Sequence, residues 1–150
     1  MEIYDLRNKK EYLEEVMTLE YEEWAQNKDM DRDKRIQKKI NKFEKLGNEK
    51  SFCKLILLDS NYLVGFISIF PDDGVDGYSP WYATMYVKEE YRGKGYSKIL
   101  NDAILKEANK RGFDRLYLKS TLNNYYEKFG AHYVKNVDKD EKLYYINTII

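Results

Sequence analysis

The sequence predicts an α/β fold with a central, mixed, twisted sheet of about seven strands flanked by four helices. Short runs of β-branched and aromatic residues alternate with longer amphipathic stretches. A strand, a helix and a second strand between residues 81 and 119 imply a crossover between parallel neighbours, whereas two tight hairpins imply antiparallel ones. A chain of 150 residues that is 43% hydrophobic fits a single domain, residues 1–150, with a full core.

The chain begins with a predicted strand and two predicted helices. Residues 2–6 alternate weakly and indicate an edge strand. Asn8 is a candidate N-cap for a helix that reaches about Trp24. After a polar break at residues 27–31, a second amphipathic helix ends near Gly47, and its outer face is rich in lysine and arginine. Because that face also carries acids, we interpret it as a solvated surface rather than a patch for RNA or phosphates.

A hairpin and the central strand follow. Residues 51–58 and 62–70 are apolar runs joined by Asp-Ser-Asn, which predicts a β-hairpin. Gly65 within the second run indicates a bulge or a close approach between backbones. A turn-rich loop, residues 72–80, then leads to a strand that begins at Trp81.

The last third of the chain contains two helices and three strands. The central helix ends at Gly112, and an alternating run at residues 115–119 predicts the next strand. Residues 122–130 predict a short helix with its own glycine stop. Residues 131–137 and 142–149 then predict an antiparallel hairpin.

The loop that joins the central strand to the central helix has the composition of an anion site. Backbone N–H groups at the start of a helix have no carbonyl partner within the helix, and the helix dipole is positive there. Two glycines let the chain turn sharply and let a ligand approach without meeting a Cβ. Such a loop favours a phosphate or pyrophosphate. Its residues are Arg92, Gly93, Lys94, Gly95, Tyr96 and Ser97.

This loop resembles the acyl-CoA loop of the GNAT superfamily of N-acetyltransferases, whose pattern is Arg/Gln-x-x-Gly-x-Gly/Ala. Ser97 stands where the family prefers Gly or Ala, and we expect its small side chain to be tolerated. A dinucleotide fingerprint would need a third glycine, and that position is Lys98. Residues 125–131 resemble the family's Φ-Tyr-Glu-Lys-x-Gly-Phe segment, with Ala131 in place of the usual aromatic. The order of predicted elements is also the one expected for the GNAT fold.

The resemblance implies acetyl-CoA as the cofactor and assigns it a path along the chain. In this family the pantetheine arm lies along the strand before the loop, and a main-chain N–H of that strand faces the thioester oxygen. The tyrosine of the short-helix segment, Tyr126, is then the candidate general acid for the leaving thiolate. Asn123 could bind the pantetheine or cap the short helix. The strand residues assigned to the cofactor are Met85, Tyr86 and Val87.

Several acids could accept the proton of the acceptor amine, and a chain of water molecules could do so without any of them. The acids in the loop before the central strand would also attract a cationic amine. Trp81 and Tyr82 begin the central strand near the expected acceptor side, where they could form an aromatic wall or pack in the core. The candidate bases are Glu20, Glu23, Asp72, Asp73 and Asp76.

Charge and composition argue against several functional classes. The 26 basic and 26 acidic residues cancel, so no bulk charge favours nucleic acid or an anionic membrane. Cys53 is the only cysteine and is expected to be a small buried residue. His132 is the only histidine, so we expect no metal site. With no signal peptide or long apolar span, a reduced, cytoplasmic setting is expected.

The resemblance therefore implies an N-acetyltransferase that uses acetyl-CoA and transfers the acetyl group directly to a primary amine. A small-molecule amine is favoured, because the chain has no added domain or basic tract to recognise a larger partner. One alternative is an acyl-CoA-binding sensor or assembly module that transfers nothing; another is a domain whose loop binds a different phosphate ligand. Many members of the family are dimers, and by that analogy an edge strand ending at residues 149 and 150 could extend the sheet across a two-fold axis in a homodimer.

Overall fold

The computed structural model describes residues 1–25 and 31–149, so most of the predicted polar break at residues 27–31 lies outside the described residues. Seven strands form one sheet in the order β1-β2-β3-β4-β5-β7-β6. The predicted α/β fold with a mixed seven-stranded sheet is confirmed. The strands are β1 (Glu2–Asp5), β2 (Cys53–Asp59), β3 (Tyr62–Phe70), β4 (Trp81–Val87), β5 (Arg115–Ser120), β6 (Ala131–Asn136) and β7 (Lys142–Asn147), and the helices are α1 (Leu13–Trp24), α2 (Arg32–Leu46) and α3 (Tyr96–Lys110).

The sheet consists of two well-paired halves that meet at one narrow joint. Strands β1 to β4 form a continuous antiparallel ladder, and β7 pairs antiparallel with both β5 and β6. Between the halves, β4 and β5 run parallel and share a single register pair, Trp81 with Tyr117. Beyond that pair the two strands separate, which opens a cleft in the middle of the sheet.

Helices cover both faces of the sheet. Successive side chains of a strand point to opposite faces, so one strand can contact helices on both sides. Leu55 and Leu57 of β2 pack in a cluster with Leu100 and Ile104 of α3. The intervening Ile56 packs on the opposite face with residues of α1 and α2. The near-continuous burial of β2 and β3 is therefore that of strands covered on both sides.

The first helix starts later than predicted. Asn8 does not cap it, because residues 6–12 form two short 3-10 turns and α1 begins at Leu13. Asp5 caps the first turn by accepting a hydrogen bond from the Arg7 amide, so the chain tightens before α1 starts. In contrast, Asp31 caps α2 by accepting from two backbone amides, and α2 ends at Leu46 as expected.

The predicted fourth helix and the predicted edge strand both differ in the structure. Residues 122–130 contain only a 3-10 turn, Tyr126–Phe129, which ends at Gly130 with φ +94°. The hairpin strand β7 is not at the edge, because it lies between β5 and β6 and has buried residues paired on both sides. The open edges of the described sheet are β1 and β6, and β7 ends at Asn147, so the predicted edge strand through residue 149 is wrong; residue 150 lies outside the described residues.

Candidate active site

Two cavities meet at the cleft between β4 and β5. The loop cavity has a volume of about 660 Å³ and is lined by β4 and by the segment that precedes α3. The acidic cavity has a volume of about 370 Å³ and is lined by two carboxylates, Asp73 and Glu141, together with aromatic side chains. Trp24, Met85 and Tyr126 line both cavities. Two ligands bound on the two sides would therefore approach each other at these three residues.

The glycines of the loop cavity leave room for a ligand against the backbone. Gly93 and Gly95 have φ values of +78° and +85°, and a Cβ on either glycine would meet no atom within 4 Å. Gly95 is the N-cap residue of α3, so no side chain of the N-cap occupies the first backbone amides of the helix. The first amides of a 15-residue helix therefore border this open space, which fits an anionic group.

The other predicted loop residues differ in where their side chains lie. Arg92 lines the loop cavity, but its Nε donates to the Val87 carbonyl at 2.8 Å. Lys94 is exposed and is not among the lining residues. Tyr96 and Ser97 line the cavity as the first two residues of α3, so Ser97 does not cap the helix.

Strand β4 presents an irregular backbone to the cavities. Thr84 and Met85 have no register partner, because two residues of β4 are opposite one residue of β3. Met85, Tyr86 and Val87, the residues assigned to the cofactor, all line the loop cavity. Gly65 is behind this wall, where a Cβ would overlap the carbonyl oxygen of Tyr86. The predicted close approach at Gly65 is confirmed, and the β2–β3 register also shifts beside it.

Tyr126 lies where the two cavities meet and is held by other rings. Its ring is edge-on to Tyr125 at 4.8 Å and to Tyr82 at 5.9 Å between centroids. Tyr82 in turn donates from its hydroxyl to Asn101 Oδ1 at 2.8 Å. Burial, and then Tyr125, raises the pKa of Tyr126, so the phenol keeps its proton at neutral pH. We did not predict Asn101, although a buried Asn between Leu100 and Ile104 on an apolar helix face is a recognisable signal.

The acidic cavity contains charges from separate parts of the chain. Asp73 Oδ1 is 3.9 Å from Lys119 Nζ. Burial raises the pKa of Asp73, with Glu141 acting in the same direction and Lys119 against it. Of the predicted acceptor-side aromatics, Tyr82 lines this cavity, while Trp81 is fully buried and bonds to the Tyr78 carbonyl. Sequence reasoning missed Glu141, Lys119 and Trp24, which carry no local motif.

The remaining candidate bases are placed unequally. Glu20 is buried beside Lys54, 2.9 Å away, and faces neither of the two cavities. Glu23 lines the loop cavity. Asp72 accepts a hydrogen bond from the Gly74 amide, and Asp76 is exposed; neither lines either cavity.

Three further residues have structural surroundings that clarify their roles. Asn123 does not cap the short turn, because its Oδ1 accepts from Lys142 and the turn has no side-chain cap. His132 is exposed on β6 and stacks on Tyr145. Burial raises the pKa of Cys53 to about 12, so this thiol is unreactive.

Within the described residues, no cluster of His, Cys, Asp or Glu could hold a metal ion, and no helix could cross a membrane.

Known proteins share this architecture. The profile of the acetyltransferase (GNAT) family matches residues 10–131. An aminoglycoside 6'-N-acetyltransferase from Enterococcus faecium has 18% identity and a TM-score of 0.70, covering 100% of this chain and 98% of its own.

Two other solved structures are similar. An aminoglycoside 6'-N-acetyltransferase complexed with coenzyme A has 18% identity and a TM-score of 0.68, with coverage of 100% and 98%. A chimeric spermidine N-acetyltransferase from Vibrio cholerae has 15% identity and a TM-score of 0.71, with coverage of 99% and 97%. No curated protein sequence gives a significant match.

Proposed function

The chain belongs to the acetyltransferase (GNAT) family, and we propose that it transfers an acetyl group directly to a primary amine of a small molecule. Membership of this family makes it an N-acetyltransferase with acetyl-CoA as the donor. The observation that carries the proposal is the meeting of the loop cavity and the acidic cavity at Tyr126. A donor and an acceptor bound in these cavities would have their reacting groups side by side, which lowers the entropic part of the barrier.

The loop cavity fits the donor. Acetyl-CoA supplies the thioester whose acetyl group is transferred. The amides at the start of α3, with Gly93 and Gly95, would hold its pyrophosphate, because nothing there blocks approach to the backbone. The backbone of Met85, Tyr86 and Val87 would hold the pantetheine arm.

Two groups of the chain would assist the transfer. The Met85 amide would donate a hydrogen bond to the thioester oxygen, where negative charge develops. The Tyr126 phenol would donate a proton to the departing sulfur. Because the raised pKa of Tyr126 lies above the thiol pKa of about 8.5, this transfer is uphill, and the negative charge that develops on the sulfur offsets the difference.

The acidic cavity would hold the acceptor. Two carboxylates and one ammonium line it, so one positively charged amine would balance their charge. Trp24 and Tyr82 could contact such an amine through their ring faces, worth roughly 0.5–2 kcal/mol. Asp73 is the preferred base, because it lines the cavity and its raised pKa makes it a better proton acceptor than an ordinary aspartate. Glu23 and a chain of water molecules are the alternatives.

Proteins of similar fold support a small-molecule amine as the acceptor. The structural relatives named above acetylate amino groups of small molecules, an aminoglycoside and spermidine. We place the reaction in the cytoplasm, where Cys53 stays reduced, and retain a homodimer as a prediction. Asn123 and Lys94 are outside the cavity lining, so any contact they make with the cofactor would be peripheral.

Calorimetric titration with acetyl-CoA tests the proposal. The wild type should bind with micromolar affinity, and Gly95→Trp should abolish binding by filling the loop cavity. Gly77→Trp is the matched control, because Gly77 has a similar φ of +88° and open space but lines neither cavity. Release of free CoA is then measured across a set of small amines. A wild type that binds no acetyl-CoA refutes the proposal, and binding without turnover on any amine favours the sensor.

A further inference from the structure

A buried polar cluster lies behind the irregular part of β4. Lys54 on β2 is fully buried, and its ammonium bonds to Glu20 Oε2 at 2.9 Å and Ser68 Oγ at 2.6 Å. It also reaches Thr84 Oγ1 at 3.4 Å, and the Ser68 and Thr84 hydroxyls bond to each other at 2.6 Å. The cluster thus connects α1, β2 and β3 to one residue of β4.

Stability alone gives little reason for such a cluster. Burying an ammonium and a carboxylate costs about as much as their attraction returns, and apolar residues of similar size often serve as well. The surroundings are apolar, since the ammonium lies over the rings of Phe66 and Phe70 at 5.5 and 5.1 Å. A role in holding a particular geometry explains the cluster better.

Thr84 has a backbone conformation that needs support. Its φ is +49°, a left-handed value that is unfavourable for a β-branched residue. It occurs where two residues of β4 face one residue of β3, so register pairing does not hold it. Its side chain is instead bonded to Ser68 and Lys54.

The conformation of Thr84 sets the direction of the next amide. The N–H of Met85 belongs to the peptide that joins Thr84 to Met85, so rotation at Thr84 turns it. Thr84 lines the acidic cavity, and Met85 lines both cavities. The cluster thus acts on the point where the two cavities meet.

We propose that Lys54 is a positioning residue that holds Thr84 in its left-handed conformation and so directs the Met85 amide toward the thioester oxygen. This inference rests on the proposed function, in which that oxygen lies beside Met85. Ser68 relays the constraint, and Glu20 is the counter-ion of Lys54. Burial alone would raise the pKa of Glu20, but Lys54 and Lys39 lower it, so Glu20 remains a carboxylate and is a poor base.

The test is the carbonyl resonance of 1-¹³C-acetyl-CoA bound to each variant, with the affinity for free CoA measured in parallel. The resonance should move downfield on binding to the wild type, as expected for a hydrogen-bonded carbonyl. Lys54→Met combined with Glu20→Gln removes both buried charges together. The double variant should return the resonance toward its unbound position. Its affinity for free CoA, which lacks the thioester carbonyl, should stay within about twofold of the wild-type affinity.

Two single variants complete the design. Thr84→Val replaces the hydroxyl with a methyl group and should also reduce the change in the carbonyl resonance. If the double variant does not fold, this single variant tests the positioning role. Lys39→Met is the matched control, because Lys39 lies 3.7 Å from Glu20 but has no bond to Ser68 or Thr84, and it should retain the full shift.

The outcomes separate the two proposals. A full shift in both the double variant and Thr84→Val overturns the positioning role, as does an equal loss of CoA affinity and acetyl-CoA affinity. A wild type that binds acetyl-CoA without any shift overturns it while leaving the cofactor assignment intact. A wild type that binds neither acetyl-CoA nor CoA refutes the proposed function itself, and the positioning role with it.

Discussion

The loop cavity and the acidic cavity share β4 but are built differently. The loop cavity takes most of its wall from one stretch, residues 85–97, in which Gly93 and Gly95 leave the backbone open to a ligand. The acidic cavity gathers charged side chains from three distant positions, Asp73, Lys119 and Glu141. A backbone surface can accept the same ligand while side chains vary. Side chains from separate parts of the chain can change with the acceptor, so we infer that specificity for the acceptor resides in the acidic cavity.

The largest expected effect is at Tyr126, one of the three residues that line both cavities. Tyr126→Phe should lower kcat about 100-fold, because the general acid is lost. The affinity for acetyl-CoA should change little, since the ring and its contacts with Tyr82 and Tyr125 remain. Steady-state kinetics and calorimetry measure the two quantities. Unchanged kcat would show that another group protonates the thiolate.

The next effect concerns the backbone wall of the loop cavity. Gly65→Ala should lower the free energy of unfolding by about 1–3 kcal/mol, because the added Cβ would overlap the Tyr86 carbonyl and displace β4. Acetyl-CoA affinity should fall with it. Gly47→Ala is the control, because its Cβ would make only ordinary contacts at 3.5 Å. Equal denaturation midpoints for the two variants would contradict the close approach.

A smaller effect is expected in the acidic cavity. Asp73→Asn and Glu141→Gln should each raise KM for the amine about two- to fivefold, since each removes one partly exposed charge. Asp73→Asn should also lower kcat, because it removes the preferred base, whereas Glu141→Gln should leave kcat unchanged. Neither should change the affinity for acetyl-CoA, because neither residue lines the loop cavity. If either variant weakened donor binding instead, the assignment of the donor to the loop cavity and of the acceptor to the acidic cavity would be incorrect.

The smallest effect is a pH dependence from Asp73. Its pKa is raised above its ordinary value of 3.8, chiefly by burial, so the folded protein holds this proton more tightly than the unfolded chain. The stability from this group is complete below pH 3.8 and is lost as pH rises through the raised pKa. Asp73→Asn should therefore melt slightly higher than the wild type at neutral pH. The difference should vanish in acid; a difference that persists there would indicate another cause.

Local patterns were sufficient for much of the fold. The apolar runs of β2 and β3, the glycine stop after α3 and the anion loop all follow from neighbouring residues. The start of α1 was predicted wrongly, because Asn8 looked like a cap although Asp5 caps an earlier turn instead. The short helix was also predicted wrongly, because Asn124 has a left-handed φ of +59° that interrupts a right-handed helix and leaves only the 3-10 turn Tyr126–Phe129.

The candidate site was predictable to the extent that its residues are sequential. Residues 85–87, the glycines of the loop and Tyr126 were chosen from continuous motifs, and all of them line the loop cavity. Glu141, Lys119 and Asn101 were missed. Lys119 of β5 and Glu141, which directly precedes β7, reach the acidic cavity, and Asn101 of α3 holds Tyr82. These placements depend on tertiary packing, which no short window of sequence reports.

By itself, the sequence determined the alternating strands, the amphipathic helices and the glycine loop, because these depend on residues a few positions apart. Only the tertiary structure decided that β7 lies between β5 and β6, that β4 and β5 separate after Trp81, and that Asp73 and Glu141 share a cavity. It also placed Lys54 of β2 against Thr84 of β4. Such contacts join residues far apart in the chain, and their geometry is set by how the whole sheet packs.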